Sequence, residues 1–346
     1  MTVQRVSLLV MNTLLARLHI DPYIAGIVAM VGLASACPAR GIGLTLAGGA
    51  GSVAIALIFF LQGARLSPQA ALAGARHWRL HAIVLGSTFL LFPLLGLAAR
   101  AIAPQLLSPP LWAGLLMLCL LPSTVQSSIA FTSMARGNVA AALCAATASN
   151  LFGILLTPLL AGLLLSVHGG FSIHAIGDIV AQLVLPFAAG QLARPWIGEW
   201  LRQHRSIGML VDRGSILLIV YVAFSEGVNH GIWHQLDIGQ FGVLLLADAA
   251  LLSAVLLATN FGSQLLGFNR ADRITIVFCG SKKSLASGLP MASILFAGQS
   301  VGLIVLPLML FHQVQLMVCA ALAKRWAADP EARRSDRGTS MAPMAS

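Results

Sequence analysis

Apolar stretches of about twenty residues recur along nearly the whole chain, the length a helix needs to cross a bilayer's hydrocarbon core. The pattern predicts ten spans, at 22 to 37, 42 to 62, 80 to 101, 111 to 134, 138 to 164, 173 to 193, 210 to 229, 239 to 265, 271 to 297 and 300 to 324. The fourth and ninth are interrupted. Between Leu115 and Pro158 the apolar run is broken by Pro122, Ser123, Thr124, Gln126, Ser127 and Ser128, and between Arg273 and Pro307 by Lys282, Lys283, Ser284, Ser287 and Pro290. In hydrocarbon a freed backbone amide or carbonyl needs a partner, so a broken helix persists only where protein or a watery cavity surrounds it. Transporters place binding sites at such breaks, where half-helix termini present partial charge. The predicted fold class is an all-α polytopic membrane protein, with its site between spans 4 and 9.

Composition agrees with embedding: 58% of the 346 residues are hydrophobic and 9% charged, against about 25% charged in soluble domains. The net charge of +10 does not indicate nucleic acid, because the basic residues lie in short connections and form no soluble basic face. With ten alternating spans, every Lys and Arg except Arg40, Arg100, Lys282 and Lys283 falls at the termini or in the connections after spans 2, 4, 6 and 8. That bias places both termini in the cytoplasm. Ten spans divide near residue 170 into two five-span halves, and an odd number inverts the second half, making span 4 the counterpart of span 9. Residues 1–20 are read as an N-terminal amphipathic segment without a removed signal peptide, 21–325 as the transporter domain, and 326–346 as a disordered cytoplasmic tail.

Lys282 and Lys283 are the most informative residues, since an ammonium in hydrocarbon faces a cavity or a partner. Adjacent helical positions point about 100° apart. One lysine is therefore expected to face the site while the other snorkels or pairs with a carboxylate; if span 9 begins later, both lie near the cytoplasmic surface. Asp248, deep in span 8, is expected to pair with a lysine, carry a proton or serve helix packing. Asp178 and Glu226 read as interfacial. Ser123, Thr124, Gln126, Ser127 and Ser128 offer uncharged ligands or repair the backbone around Pro122. Asn150 supports the break from span 5, and Thr88 and Gln62 are weaker candidates. His168, His174, His230 and His234 are dispersed, and the five cysteines (Cys37, Cys119, Cys144, Cys279 and Cys319) read as inert thiols. No metal constellation, phosphate-binding glycine loop or nucleophile triad stands out; neither an enzyme nor a cofactor is expected.

The stretch LPSTVQSSIAFTSMARGNVAAALCAATASNLFGILLTP, with FFLQGARLSP and CGSKKSLASGLP, resembles the bile acid:sodium symporter family, in its divergent SBF-like branch with bacterial inner-membrane members. The resemblance implies a panel of helices 1, 2, 6 and 7 and a core of helices 3–5 and 8–10, with helices 4 and 9 crossed and alternating access between the two. It also implies where sodium ligands would fall: Ser127 and Ser128 for the fourth-helix Ser-Asn pair, Ala142 and Ala146 (beside Thr147) for fifth-helix hydroxyls, Ser281 for the ninth-helix glutamate and Thr88 for the third-helix glutamine. Most of that set is missing here. The expected function is a secondary transporter of a small organic anion, sodium-independent or proton-linked because Lys282 or Lys283 replaces part of the sodium role. Expected partners are that anion, the lipid bilayer, a proton or sodium ion and a second copy of the chain as a homodimer. The competing readings are a non-transporting membrane regulator or sensor, a sodium-coupled symporter and, less well matched, a passive channel.

Overall fold

The computed structural model describes residues 22–65, 77–165, 173–229, 231, 233 and 237–328. The amphipathic segment expected at 1–20 lies outside these residues, as do the tail beyond Ala328, His168, His230, His234 and the side chains of His174 and Asp178. Among the described residues there is no strand. The helices are α1 (Pro22–Ala36), α2 (Ile42–Arg65), α3 (Trp78–Gly86), α4 (Phe92–Ile102), α5 (Pro109–Leu120), α6 (Gln126–Met134) and α7 (Val139–Leu165). They continue with α8 (Ile173–Gln203), α9 (Arg205–Asn229), α10 (Ile238–Leu265), α11 (Arg270–Gly280), α12 (Leu285–Leu295) and α13 (Val301–Ala328). A π-helical turn, Ser87–Leu91, joins α3 to α4.

Among the described residues, six helical runs are long and apolar enough to cross a membrane: α2, α3 through α4, α7, α9, α10 and α13. Large apolar side chains such as Leu46, Val53, Leu163, Leu246 and Leu265 stand exposed on them, a surface that lipid accepts and water penalises. The chain is a multi-pass membrane protein.

Helix boundaries follow local chemistry. Side chains of Asp237, Asn269 and Ser284 cap α10, α11 and α12 by accepting from the amides of Gly239, Asp272 and Ser287. α5 opens on two prolines, tolerated where the amide has no intrahelical partner. α8 runs ten residues beyond the span expected to end at 193; Ile197 and Leu201 pack on Leu61, Ala64 and Val211, so tertiary contact extends a helix whose sequence has turned polar.

α8 packs chiefly on α2, and α9 on α1 and α2, while α13 packs on α5 and α10. Gly63 lies against the carbonyl of Phe187 and Gly190 against that of Phe60, so α2 and α8 meet backbone to backbone with no room for a Cβ at either glycine. The ARGN segment turns α6 into α7. Arg136 takes the left-handed conformation at φ 61°, Asn138 N–H donates to Ala271 O at 3.1 Å, and Asn138 Nδ2 donates to Asp272 Oδ1 at 2.8 Å. The end of one broken passage is thereby fastened to the start of the other.

Candidate functional site

Each interrupted passage is two helices with a non-helical stretch between them, and the two stretches touch. Pro122 has no amide hydrogen, so α5 stops before it. Five successive carbonyls there need donors from elsewhere, and each has one. Cys119 O and Leu121 O accept from Lys283 Nζ, both at 2.8 Å. Leu120 O accepts from Thr157 Oγ1 at 2.8 Å. Pro122 O accepts from Ser284 N–H at 2.9 Å, and Ser123 O from Asn150 Nδ2 at 2.6 Å. Ser123 N–H donates to Ser149 Oγ at 3.0 Å.

The second break is repaired reciprocally. Phe278 O accepts from Ser128 Oγ at 3.2 Å, Cys279 O from Ser123 Oγ at 2.6 Å and Gly280 O from Ser87 Oγ at 2.8 Å. Gln315 brackets Lys283, its Oε1 accepting from the Lys283 amide and its Nε2 donating to the Lys283 carbonyl, both at 2.9 Å. The two touching breaks thus supply donors to each other, as breaks deep in an apolar molecule require.

The two lysines diverge. Lys283 Nζ also donates to Thr88 O at 2.9 Å. In the π-helical register the donor for that carbonyl would be residue 93, which is a proline, so the turn hands the lysine a free acceptor. Three carbonyls from two elements therefore surround one ammonium, with the Phe92 ring 4.1 Å away. Lys282 turns into a different compartment, its Nζ 3.6 Å from the Phe131 ring centroid and 5.8 Å from that of Phe278, with no hydrogen-bond partner. Both lysines are wholly buried. Asp248 is buried too, and neither of its carboxylate oxygens has a hydrogen-bond partner. The expected pairing of Asp248 with a lysine is absent: one ammonium is held by carbonyls and the other rests on aromatic rings.

A cavity of about 440 Å³ lies beside the two breaks. Of the residues singled out in the sequence, Thr124, Gln126, Ser127, Thr147, Asn150, Ser284, Ser287 and the weaker candidate Gln62 line it. Ser123, Ser128, Ser281, Lys282, Lys283, Asp248 and Thr88 do not; they are buried behind the wall. The expectation that a lysine faces the site is thus corrected: the lysines sit within the support of the wall. First-turn residues of both α6 (Gln126, Ser127) and α12 (Leu285, Ala286, Ser287) line the space, so two half-helix N-termini present partial positive charge to it.

Sequence reasoning missed the opposite wall. Arg65, at the end of α2, is ion-paired with Asp212 of α9, and Arg213 lies over the Tyr23 ring at 5.1 Å; all four line the cavity with His312 of α13. Two guanidiniums against one carboxylate leave an excess of positive charge. Ile58, Ile154, Phe187, Ile216 and Leu316 supply an apolar body. The overlooked signal was the polar cluster His312, Gln313 and Gln315 inside an apolar span, and the basic residues of connections entering a cavity instead of bulk water.

Residues 21–328 match the SBF-like CPA transporter family. The chain belongs to that family. Among its relatives, YfeH of Escherichia coli (strain K12) is 50% identical over 322 residues, covering 93% of this chain and 97% of the relative. Protein PA2026 of Pseudomonas aeruginosa is 50% identical over 324 residues, covering 93% and 96%. Sodium/bile acid cotransporter 7 of Rattus norvegicus is 28% identical over 330 residues, covering 90% and 95%. Membership makes this a transporter-family membrane protein, as its broken helices and exposed apolar faces require. The Lys283 ammonium occupies the space among the carbonyls of Thr88, Cys119 and Leu121.

Proposed function

We propose that this chain is a secondary transporter that moves a small organic anion across the bacterial inner membrane by alternating access, without a sodium requirement. The observation that carries this reading is the Lys283 ammonium among three carbonyls: a covalently attached cation does there what a bound cation would do, holding the π-helical turn to the end of α5 at the crossing. The cargo is read from the wall. Arg65, Arg213 and two half-helix N-termini favour an anion, and the aliphatic and aromatic lining favours an apolar body on it. The ten passages form two inverted five-helix repeats, with α1, α2, α8 and α9 as the panel and the remaining helices as the core, and the cavity lies where the two meet. Both termini are cytoplasmic by the distribution of basic residues.

The test is thermal stabilisation of the detergent-purified protein by a panel of organic anions, with and without sodium, followed by flux into proteoliposomes with the anion that responds. Stabilisation and accumulation independent of sodium are expected. The rat relative's name, a sodium/bile acid cotransporter, favours a sodium-coupled second reading. A steep sodium requirement for flux establishes that reading, and anion binding without flux points to a sensor.

A further inference from the structure

Gln315 and His312 lie one turn apart on α13, and their contact determines where a proton sits. The amide orientation of Gln315 is fixed by the backbone of Lys283: an N–H only donates and a carbonyl only accepts, so Oε1 faces the Lys283 amide and Nε2 faces the Lys283 carbonyl. The second hydrogen of Nε2 is directed at His312 Nδ1, 2.9 Å away. An amide NH2 accepts nothing, so Nδ1 must be the acceptor and the imidazole carries its proton on Nε2. His312 lines the cavity.

We propose that His312 is a proton-sensitive contact of the substrate cavity, neutral and Nε2-protonated in this state, and that Gln315 transmits its protonation to the α11–α12 break. A proton added at Nδ1 sets two donors face to face. Turning the Gln315 amide over relieves that clash, but it places Nε2 against the Lys283 N–H and Oε1 against the Lys283 carbonyl, so both backbone bonds are lost together. Protonation at the cavity wall therefore releases the bracket on the residue whose side chain ties the crossing together. The charged and titratable groups around the cavity are Tyr23 from α1, Arg65 from α2, and Asp212 and Arg213 from α9. Arg65 is paired with Asp212, and Arg213 lies over Tyr23. On the other segments packed against α13 stand Lys282 and Lys283 between α11 and α12, Cys119 of α5 and Asp248 of α10.

The role rests on reading the cavity as the substrate site, but its test needs no substrate, so the two fail separately. Magic-angle-spinning NMR of [15N]histidine-labelled protein in lipid, with the His312 signal assigned by its loss in His312→Gln, is expected to show the Nε2–H tautomer at pH 8. In Gln315→Glu a carboxylate accepts where an amide donated, and the signal is expected to move to Nδ1–H or imidazolium at the same pH. An Nδ1–H tautomer in the wild type, or a signal unmoved by Gln315→Glu, overturns the proposal. Melting curves between pH 5.5 and 8.5 supply the coupling readout. The wild type is expected to lose stability on acidification relative to His312→Gln, and Gln315→Glu to gain it relative to wild type; superimposable wild-type and His312→Gln profiles overturn the link. If His312→Gln fails to fold, His312→Asn provides the assignment and the reference.

Discussion

Lys283 extends between the π-helical turn and the end of α5, and its side-chain hydrogen bonds there are all to main-chain oxygen. Removing the ammonium while keeping the chain, as in Lys283→Met, strands three buried carbonyls at about 1–3 kcal/mol each, so a loss of roughly 3 kcal/mol or more is expected. Lys282→Met is expected to be close to neutral. It forfeits a cation–π contact of about 0.5–2 kcal/mol but removes a buried ammonium that has no hydrogen-bond partner. Paired melting curves in detergent check the contrast, and equal losses would show that the two lysines share one role. Both residues were legible in the sequence as costly charges inside an apolar span. Their division of labour was not, because it depends on Thr88, Cys119 and Phe131, which lie far away along the chain.

At the scale of elements, interruptions were readable and their repair was not. Pro122 announces the end of α5 to anyone counting amide hydrogens, and Ser284 with Ser287 makes a local cap for α12. The donors that make the breaks tolerable come from other helices: Ser149, Asn150 and Thr157 from α7, Ser87 from the π-helical turn and Gln315 from α13. Asn150 was singled out as support from behind the break. It does this through Ser123 O while its Oδ1 accepts from Ser287 Oγ at 3.1 Å, so one amide touches both broken passages. The contact between α2 and α8 makes a second element-scale prediction. Gly63→Val and Gly190→Val each press a side chain onto a facing carbonyl, and each is expected to cost about 1–3 kcal/mol, the usual range for overpacking. Gly49→Val, at an open position on the same α2, is expected to melt like the wild type.

On the scale of the whole molecule, the cavity is walled by Arg65, Met209, Asp212 and Arg213, residues at the end of the helices where the basic connections gather. Cys37 is exposed beyond the end of α1 that approaches Arg40. If both termini are cytoplasmic, an impermeant thiol reagent should modify Met209→Cys in inside-out vesicles and native Cys37 only from the opposite face. The reverse labelling pattern would invert the assignment. Hydropathy, proline positions and the distribution of Arg and Lys determined by themselves that this is a helical, many-times-embedded membrane protein with two special passages, because each of those signals is local: bilayer thickness, a missing amide hydrogen, a charge left on one side. Only the tertiary structure decided which hydroxyls face the cavity and which mend the backbone, why the lysines stand behind the wall, and how Arg213, His312 and Gln315 enter the site. The physical reason is that a freed carbonyl accepts from any donor within reach, and which donor reaches it is settled by packing between helices distant in the chain.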